Sequence, residues 1–107
     1  MRIITANLNG IRSAASKGFF PWLSRQKADV VCLQELKAQP ADLPPQALNV
    51  KDLSGYFHAA EKKGYSGVGI YTRMPPGKVV TGLGIADIDA EGRFLQLDFD
   101  QLSVISV

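Results

Sequence analysis

The stretch Val30-Val31-Cys32-Leu33 limits what this chain can fold into more than any other segment. A short apolar run with no polar alternation fits a strand covered on both faces, the situation of strands inside α/β sheets. It stops abruptly at Gln34-Glu35. Upstream, residues 2–6 are short and rich in β-branched side chains, which predicts another buried strand, closed by the loop residues Asn7-Leu8-Asn9-Gly10. Between the two strands, Phe19, Trp22, Leu23 and Gln26 fall at helical spacing, with Pro21 suited to a first turn. A helix over 17–27 would make strand, helix and strand a right-handed crossover, with the two strands neighbouring and parallel.

The rest of the chain is read as hairpin-linked strands. Pro40, Pro44 and Pro45 make residues 38–50 a loop with at most a short helix around 43–48. Strands are predicted over 56–60, 67–73, 78–83, 93–99 and 102–107. Phe94, Gln96 and Asp98 alternate with Leu95, Leu97 and Phe99, and Asp100-Gln101 has the composition of a tight turn. The fold class is therefore α/β, a mixed β-sheet with a flanking helix. The last residues, Leu102-Ser103-Val104-Ile105-Ser106-Val107, are an apolar strand without a polar end, so the domain is expected to be incomplete.

Composition excludes several function classes. With 46% hydrophobic and 21% charged residues the chain is globular rather than disordered. A formal net charge of +2 does not mark a nucleic-acid binder, so any such surface must come from local placement of charge. The single cysteine, Cys32, permits no internal disulfide, and the first residues, interrupted by Asn7 and Asn9, do not read as a signal peptide. A cytoplasmic, reducing location is the expectation. His58 is the only histidine, which leaves no convincing Ser-His-Asp or Cys-His site and no zinc cluster.

The residues with chemical potential are those at strand ends. Open α/β sheets place their ligand crevices at the carboxyl ends of strands, where Asn7 and Glu35 would emerge side by side. An amide beside a carboxylate suits a hard cation or a phosphate. Magnesium takes one or two carboxylates, keeps waters and accepts substrate phosphate oxygens. Taken alone, a glutamate at a strand end is either such a ligand or a solvated residue. Arg12 is open between a phosphate contact and a solvated charge, Lys17 taken singly reads as a solvated charge, and Tyr65 is open between a contact and an anchor of its own loop.

Three blocks resemble the exonuclease III and apurinic/apyrimidinic (AP) endonuclease family of the endonuclease/exonuclease/phosphatase superfamily. They are Asn7-Leu8-Asn9-Gly10-Ile11-Arg12, Asp29-Val30-Val31-Cys32-Leu33-Gln34-Glu35-Leu36-Lys37, and Gly64-Tyr65-Ser66-Gly67-Val68-Gly69 with Glu91-Gly92-Arg93 downstream. Leu36 departs from the family's threonine. The resemblance implies a four-layered α/β sandwich, of which residues 1–107 would be the amino-terminal portion, about one half. It implies a DNA-repair nuclease that hydrolyses phosphodiester bonds with Mg2+ or Mn2+, acting on double-stranded DNA with an abasic site or a 3′ end. In that family Glu35 would hold the metal, Asn9 would lie near it, and Asn7 would act in the catalytic cluster. Arg12, Lys17, Gly64, Tyr65 and Arg93 would meet DNA. The remaining catalytic groups of the family fall beyond Val107, so the 107 residues alone are expected to be inactive. The apolar inner face of the sheet is expected to need a second half or another chain to cover it. Another phosphoesterase of the superfamily and a non-catalytic binding module are the alternatives.

Overall fold

In the computed structural model, which describes residues 1–107, two sheets lie face to face and the first three helices cover the outer side of the first sheet. Strand β1 (Ile3–Asn7) is followed by helices α1 (Ile11–Ser16) and α2 (Phe19–Ser24), then by β2 (Val30–Gln34). A 3-10 turn at Pro40–Asp42 and helix α3 (Pro45–Leu48) lead to β3 (Ser54–His58) and β4 (Val68–Thr72). Strand β5 (Lys78–Thr81), helix α4 (Ala86–Asp89), β6 (Leu95–Asp98) and β7 (Ser103–Ser106) complete the chain. The first sheet has the order β1-β2-β4-β3, and the second β5-β6-β7. β1 and β2 are parallel, with Ile3 opposite Val30 and Asn7 opposite Gln34, and every other pairing is antiparallel.

Strand β2 joins two cores. On one face Val31 and Leu33 pack with Ile11, Phe20, Leu23, Leu36 and Tyr71 beneath the helices. On the other face Val30 and Cys32 join Val68 and Ile70, which meet Leu95, Leu97 and Val104 of the second sheet. This corrects the expectation of a bare inner face. The chain's own strands β5, β6 and β7 fold over the first sheet and cover it. Only edge strand β1 remains open on that side, with Ile3, Thr5 and Asn7 exposed. Gln34 and Ser106 stitch the sheets together: Gln34 Nε2 donates to Ser106 Oγ at 3.2 Å, and Ser106 Oγ to the Leu33 carbonyl at 2.8 Å.

The boundaries shift for identifiable reasons. The helix predicted over 17–27 is interrupted at Gly18, whose φ of 90° no α-helix can continue, and α1 precedes it. Pro21 sits inside the first turn of α2, where an N–H would have had no helical partner. Strand β3 ends at His58 rather than residue 60, because Ala59 and Ala60 turn to pack against Gly92.

Tyr71 shows how the helix-side core is tied down. Its ring meets Phe20 and Phe57 edge-on, at 6.2 and 5.6 Å, and its buried hydroxyl donates to the Ala47 carbonyl at 2.6 Å. Burial pushes that hydroxyl's pKa upward, so it stays a donor. Tyr71→Phe removes the donor and keeps the ring. The expected loss is about 1–2 kcal/mol in a urea melt, and an unchanged midpoint would show that α3 is not held by this bond.

Candidate active site at the carboxyl ends of the parallel strands

The loops after β1 and β2 and the loop before β4 are laced by backbone hydrogen bonds. Leu8 N–H donates to the Gln34 carbonyl, Gly10 N–H to Glu35 and Ile11 N–H to Leu36, at 3.0, 2.9 and 2.8 Å. On the other side Leu36 N–H donates to Gly67 and Lys37 N–H to Ser66, while Gly67 N–H reaches the Gly92 carbonyl at 3.1 Å. Satisfying these groups inside irregular backbone requires unusual torsions: Asn9, Glu35, Lys37 and Ser66 all have positive φ, between 45° and 52°. Asparagine enters this left-handed region readily, while glutamate and lysine do so at a cost of about 1 kcal/mol each. Such strain in ordered loops is typical of functional sites.

The result is a cleft of about 320 Å³ lined by Asn7, Gln34, Glu35, Ser66, Val68, Arg93 and Val107. Asn7 Nδ2 donates to Glu35 Oε2, and the backbone N–H of Asn9 donates to Asn7 Oδ1 at 3.0 Å. Both functions of the Asn7 amide are thus used in orienting the glutamate. The other carboxylate oxygen, Glu35 Oε1, faces the Lys37 ammonium at 3.7 Å, and Lys37 Nζ donates to Asn9 Oδ1 at 2.5 Å. Asn7, Glu35 and Asn9 therefore come together as the sequence predicts. Lys37, to which the sequence assigns no role, joins them.

Arg93 enters the same cleft from the second sheet's side. Its guanidinium donates to Glu91 Oε1 at 3.0 Å and to the Tyr65 hydroxyl at 2.6 Å, and it lies over the Tyr65 ring, 5.2 Å from the centroid. The Tyr65 hydroxyl also donates to Glu91 Oε1, and Lys62 Nζ lies 5.5 Å from the centroid of the Tyr65 ring. The Arg93 and Tyr65 hydrogen bonds hold the Glu91 carboxyl below its usual range. Tyr65 is thus both exposed and anchored. Gly64 beside it has a φ of 71°, and a Cβ there would meet nothing within 4 Å. Glu91 and Lys62 are further residues that sequence reasoning passed over, although Glu91 stands inside one of the quoted blocks.

Arg12 and Lys17 are not part of the cleft. Both are exposed, Arg12 on α1 and Lys17 at its end, and neither is in an ion pair. Lys17 shares with Asn7, Trp22 and Arg25 a shallow depression on the helix side. His58 is half-buried on β3 with Nδ1 against the Phe94 carbonyl at 3.1 Å, a structural position.

The donor chemistry fits a hard divalent cation in a limited way. No three His, Cys, Asp or Glu side chains cluster anywhere, so the chain builds no all-protein cage. One carboxylate with an oriented and partly free oxygen meets the requirement of an ion that keeps waters and takes phosphate oxygens. The Lys37 ammonium beside Oε1 shows that this position attracts positive charge.

Residues 4–107 match the Endonuclease/Exonuclease/phosphatase family. A DNA-(apurinic or apyrimidinic site) endonuclease of Dictyostelium discoideum is 36% identical over 106 residues, 99% of this chain and 29% of that protein. An exodeoxyribonuclease of Bacillus subtilis is 37% identical over 110 residues, 100% of this chain and 42% of that protein. Among solved structures, an AP endonuclease from Archaeoglobus fulgidus superimposes with a TM-score of 0.80 at 30% identity, covering 98% of this chain and 40% of that one. A 3′-5′ exonuclease from Neisseria meningitidis gives 0.79 at 26% identity with the same coverage. The chain therefore spans less than half the length of the relatives it matches. With its strand order, its strand-end Asn7–Glu35 pair and a family match over nearly every residue, this chain belongs to the endonuclease/exonuclease/phosphatase family.

Proposed function

We propose that these residues are the amino-terminal portion of a DNA-repair nuclease of the AP endonuclease and exodeoxyribonuclease type, acting on duplex DNA at abasic sites or 3′ ends with magnesium or manganese. One observation carries the reading: a single oriented carboxylate, Glu35, shares an open cleft with Arg93 at the end of two parallel strands. Supporting it are the names of the similar proteins, a DNA-(apurinic or apyrimidinic site) endonuclease and an exodeoxyribonuclease, and a Neisseria neighbour described as bound to a product DNA hairpin. The single buried thiol, Cys32, suits the reducing cytoplasm expected from the sequence.

Each residue has a part in that reading. A divalent ion at Glu35 would supply Lewis acidity toward a phosphoryl oxygen. Asn7 fixes the carboxylate through Oε2 and leaves Oε1, which faces Lys37, as the oxygen a cation would take. Arg93 offers its guanidinium to a phosphate from a rigid seat on Tyr65 and Glu91, and arginine's planar fork suits that contact. Gly64 lets the loop carrying Tyr65 approach a duplex closely. The exposed Arg12 and Lys17 extend positive charge along α1, where phosphate contacts set register rather than sequence.

The test is a chimera in which residues 1–107 replace the aligned part of the Bacillus subtilis exodeoxyribonuclease. A folded chimera that nicks abasic duplex in magnesium supports the reading, and a folded one that leaves the duplex intact sinks it. The 107 residues by themselves are expected to show no nicking on a denaturing gel. Glu35, read here as the residue that holds the metal, is the only acidic side chain lining the cleft, so no second carboxylate or histidine is left to take a proton from water. Magnesium-dependent nicking by the isolated chain would refute that expectation.

A further inference from the structure

We infer that Lys37 is a built-in competitor for the cation position, and that its ammonium keeps the divalent-ion affinity of the cleft below what Glu35 alone would give. The inference rests on the reading of Glu35 as the residue that holds the metal.

The two oxygens of Glu35 are divided between partners. Asn7 Nδ2 holds Oε2, and Lys37 Nζ faces Oε1 at 3.7 Å while donating to Asn9 Oδ1 at 2.5 Å. Lys37 therefore sits at Glu35 Oε1 and Asn9 Oδ1, two solvent-accessible oxygens of the kind a hard cation would use. Its placement comes from the backbone. Leu36 is buried to 1% exposure, its N–H and that of Lys37 are fixed to Gly67 and Ser66, and the left-handed φ of 52° at Lys37 turns the stem back toward Glu35. Fold stability does not account for this arrangement. A left-handed lysine is unfavourable, and an ion pair whose partners are 38% and 42% exposed contributes little.

Removing the ammonium acts in one direction. Glu35 keeps its orientation, because Asn7 holds the other oxygen, and Asn7 is itself held by the Asn9 backbone N–H. Glu35 Oε1 loses a competing charge and Asn9 Oδ1 loses its donor. Arg93, the one basic side chain lining the cleft, is bound to Glu91. None of the contacts that shape the Asn7–Glu35 pair depends on Lys37.

The experiment is a manganese titration of the 107-residue chain, read from the electron-paramagnetic signal of free Mn2+, with thermal melts confirming that each variant is folded. Lys37→Met, with Lys37→Gln as a second neutral variant, is expected to bind Mn2+ about three- to tenfold more tightly than wild type, the range set by a partly screened charge about 4 Å away. Lys37→Arg keeps the charge and is expected to stay within about twofold of wild type. Glu35→Gln is expected to abolish binding in every background. Neutral variants no tighter than wild type, with binding still lost in Glu35→Gln, overturn the inference and leave the metal reading standing. Binding that survives Glu35→Gln overturns the metal reading and this inference with it.

Discussion

Glu35→Gln in the chimera is expected to lower abasic-site nicking on the order of a hundredfold or more, the usual result of removing a group that organises charge in a transition state. The substitution is close to isosteric. Glutamine can still accept a hydrogen bond from Asn7 Nδ2, so the loop that follows β2 keeps its shape. What disappears is the one acidic side chain that residues 1–107 contribute to the cleft. The fold should hardly notice, because Glu35 is partly exposed and its one ion pair, with Lys37, belongs to the class worth at most about 1 kcal/mol. Activity and stability are thus expected to separate. A melting temperature equal to that of the unsubstituted chimera, together with lost nicking, is the predicted pair of results. Nicking that survives would remove Glu35 from the chemistry.

Gly92→Ala is expected to do the reverse and strike the fold first. A Cβ at position 92 would lie 2.4 Å from the Ala60 nitrogen and 2.6 Å from the Ala59 carbonyl carbon, both backbone atoms that no side-chain rotation can move away. The φ of 60° adds the left-handed penalty that glycine escapes and alanine does not. Together these should destabilise the chain on the order of 3 kcal/mol, an effect at the upper end for single substitutions. In a domain of this size that corresponds to a fall of roughly 10–20 °C in melting temperature. The damage would spread, since the Gly92 carbonyl accepts from Gly67 N–H and from Ser66, and residues 91 and 93 carry the Tyr65 seat. A loss under about 0.5 kcal/mol, the range of ordinary surface changes, would contradict the argument.

The sequence was informative where local pattern determines three-dimensional placement. The unbroken run Val30–Leu33 announces a strand covered on both faces, and β2 is that strand. Once two strands run parallel in register, residues at their ends become neighbours, so the meeting of Asn7 and Glu35 could be read before any coordinates. The closing of the second sheet over the first could not. Alternation in Leu95-Gln96-Leu97-Asp98 says that one face is buried but not what buries it, and the partner strands β2 and β4 lie far back in the chain. Lys37 was hidden for another reason. Its approach to Glu35 and Asn9 depends on left-handed torsions at Glu35 and Lys37, residue types that give no warning of them. Helix α1 is a single short amphipathic turn and a half, signalled only by buried Ile11, too little for periodicity to register.

Strand β2 is clamped by neighbours on both edges and by apolar side chains above and below, whereas β1 has one neighbour and an open flank. The two halves of the Asn7–Glu35 pair thus ride on supports of unequal stiffness. Amides of Val31 and Leu33 should be among the slowest in the molecule to exchange with deuterium, those of β1 faster. Fluctuation of the fold is then expected to reach the cleft through Asn7, on the less supported of the two strands. Anything that lends β1 a second neighbour would sharpen the site without touching either residue in it.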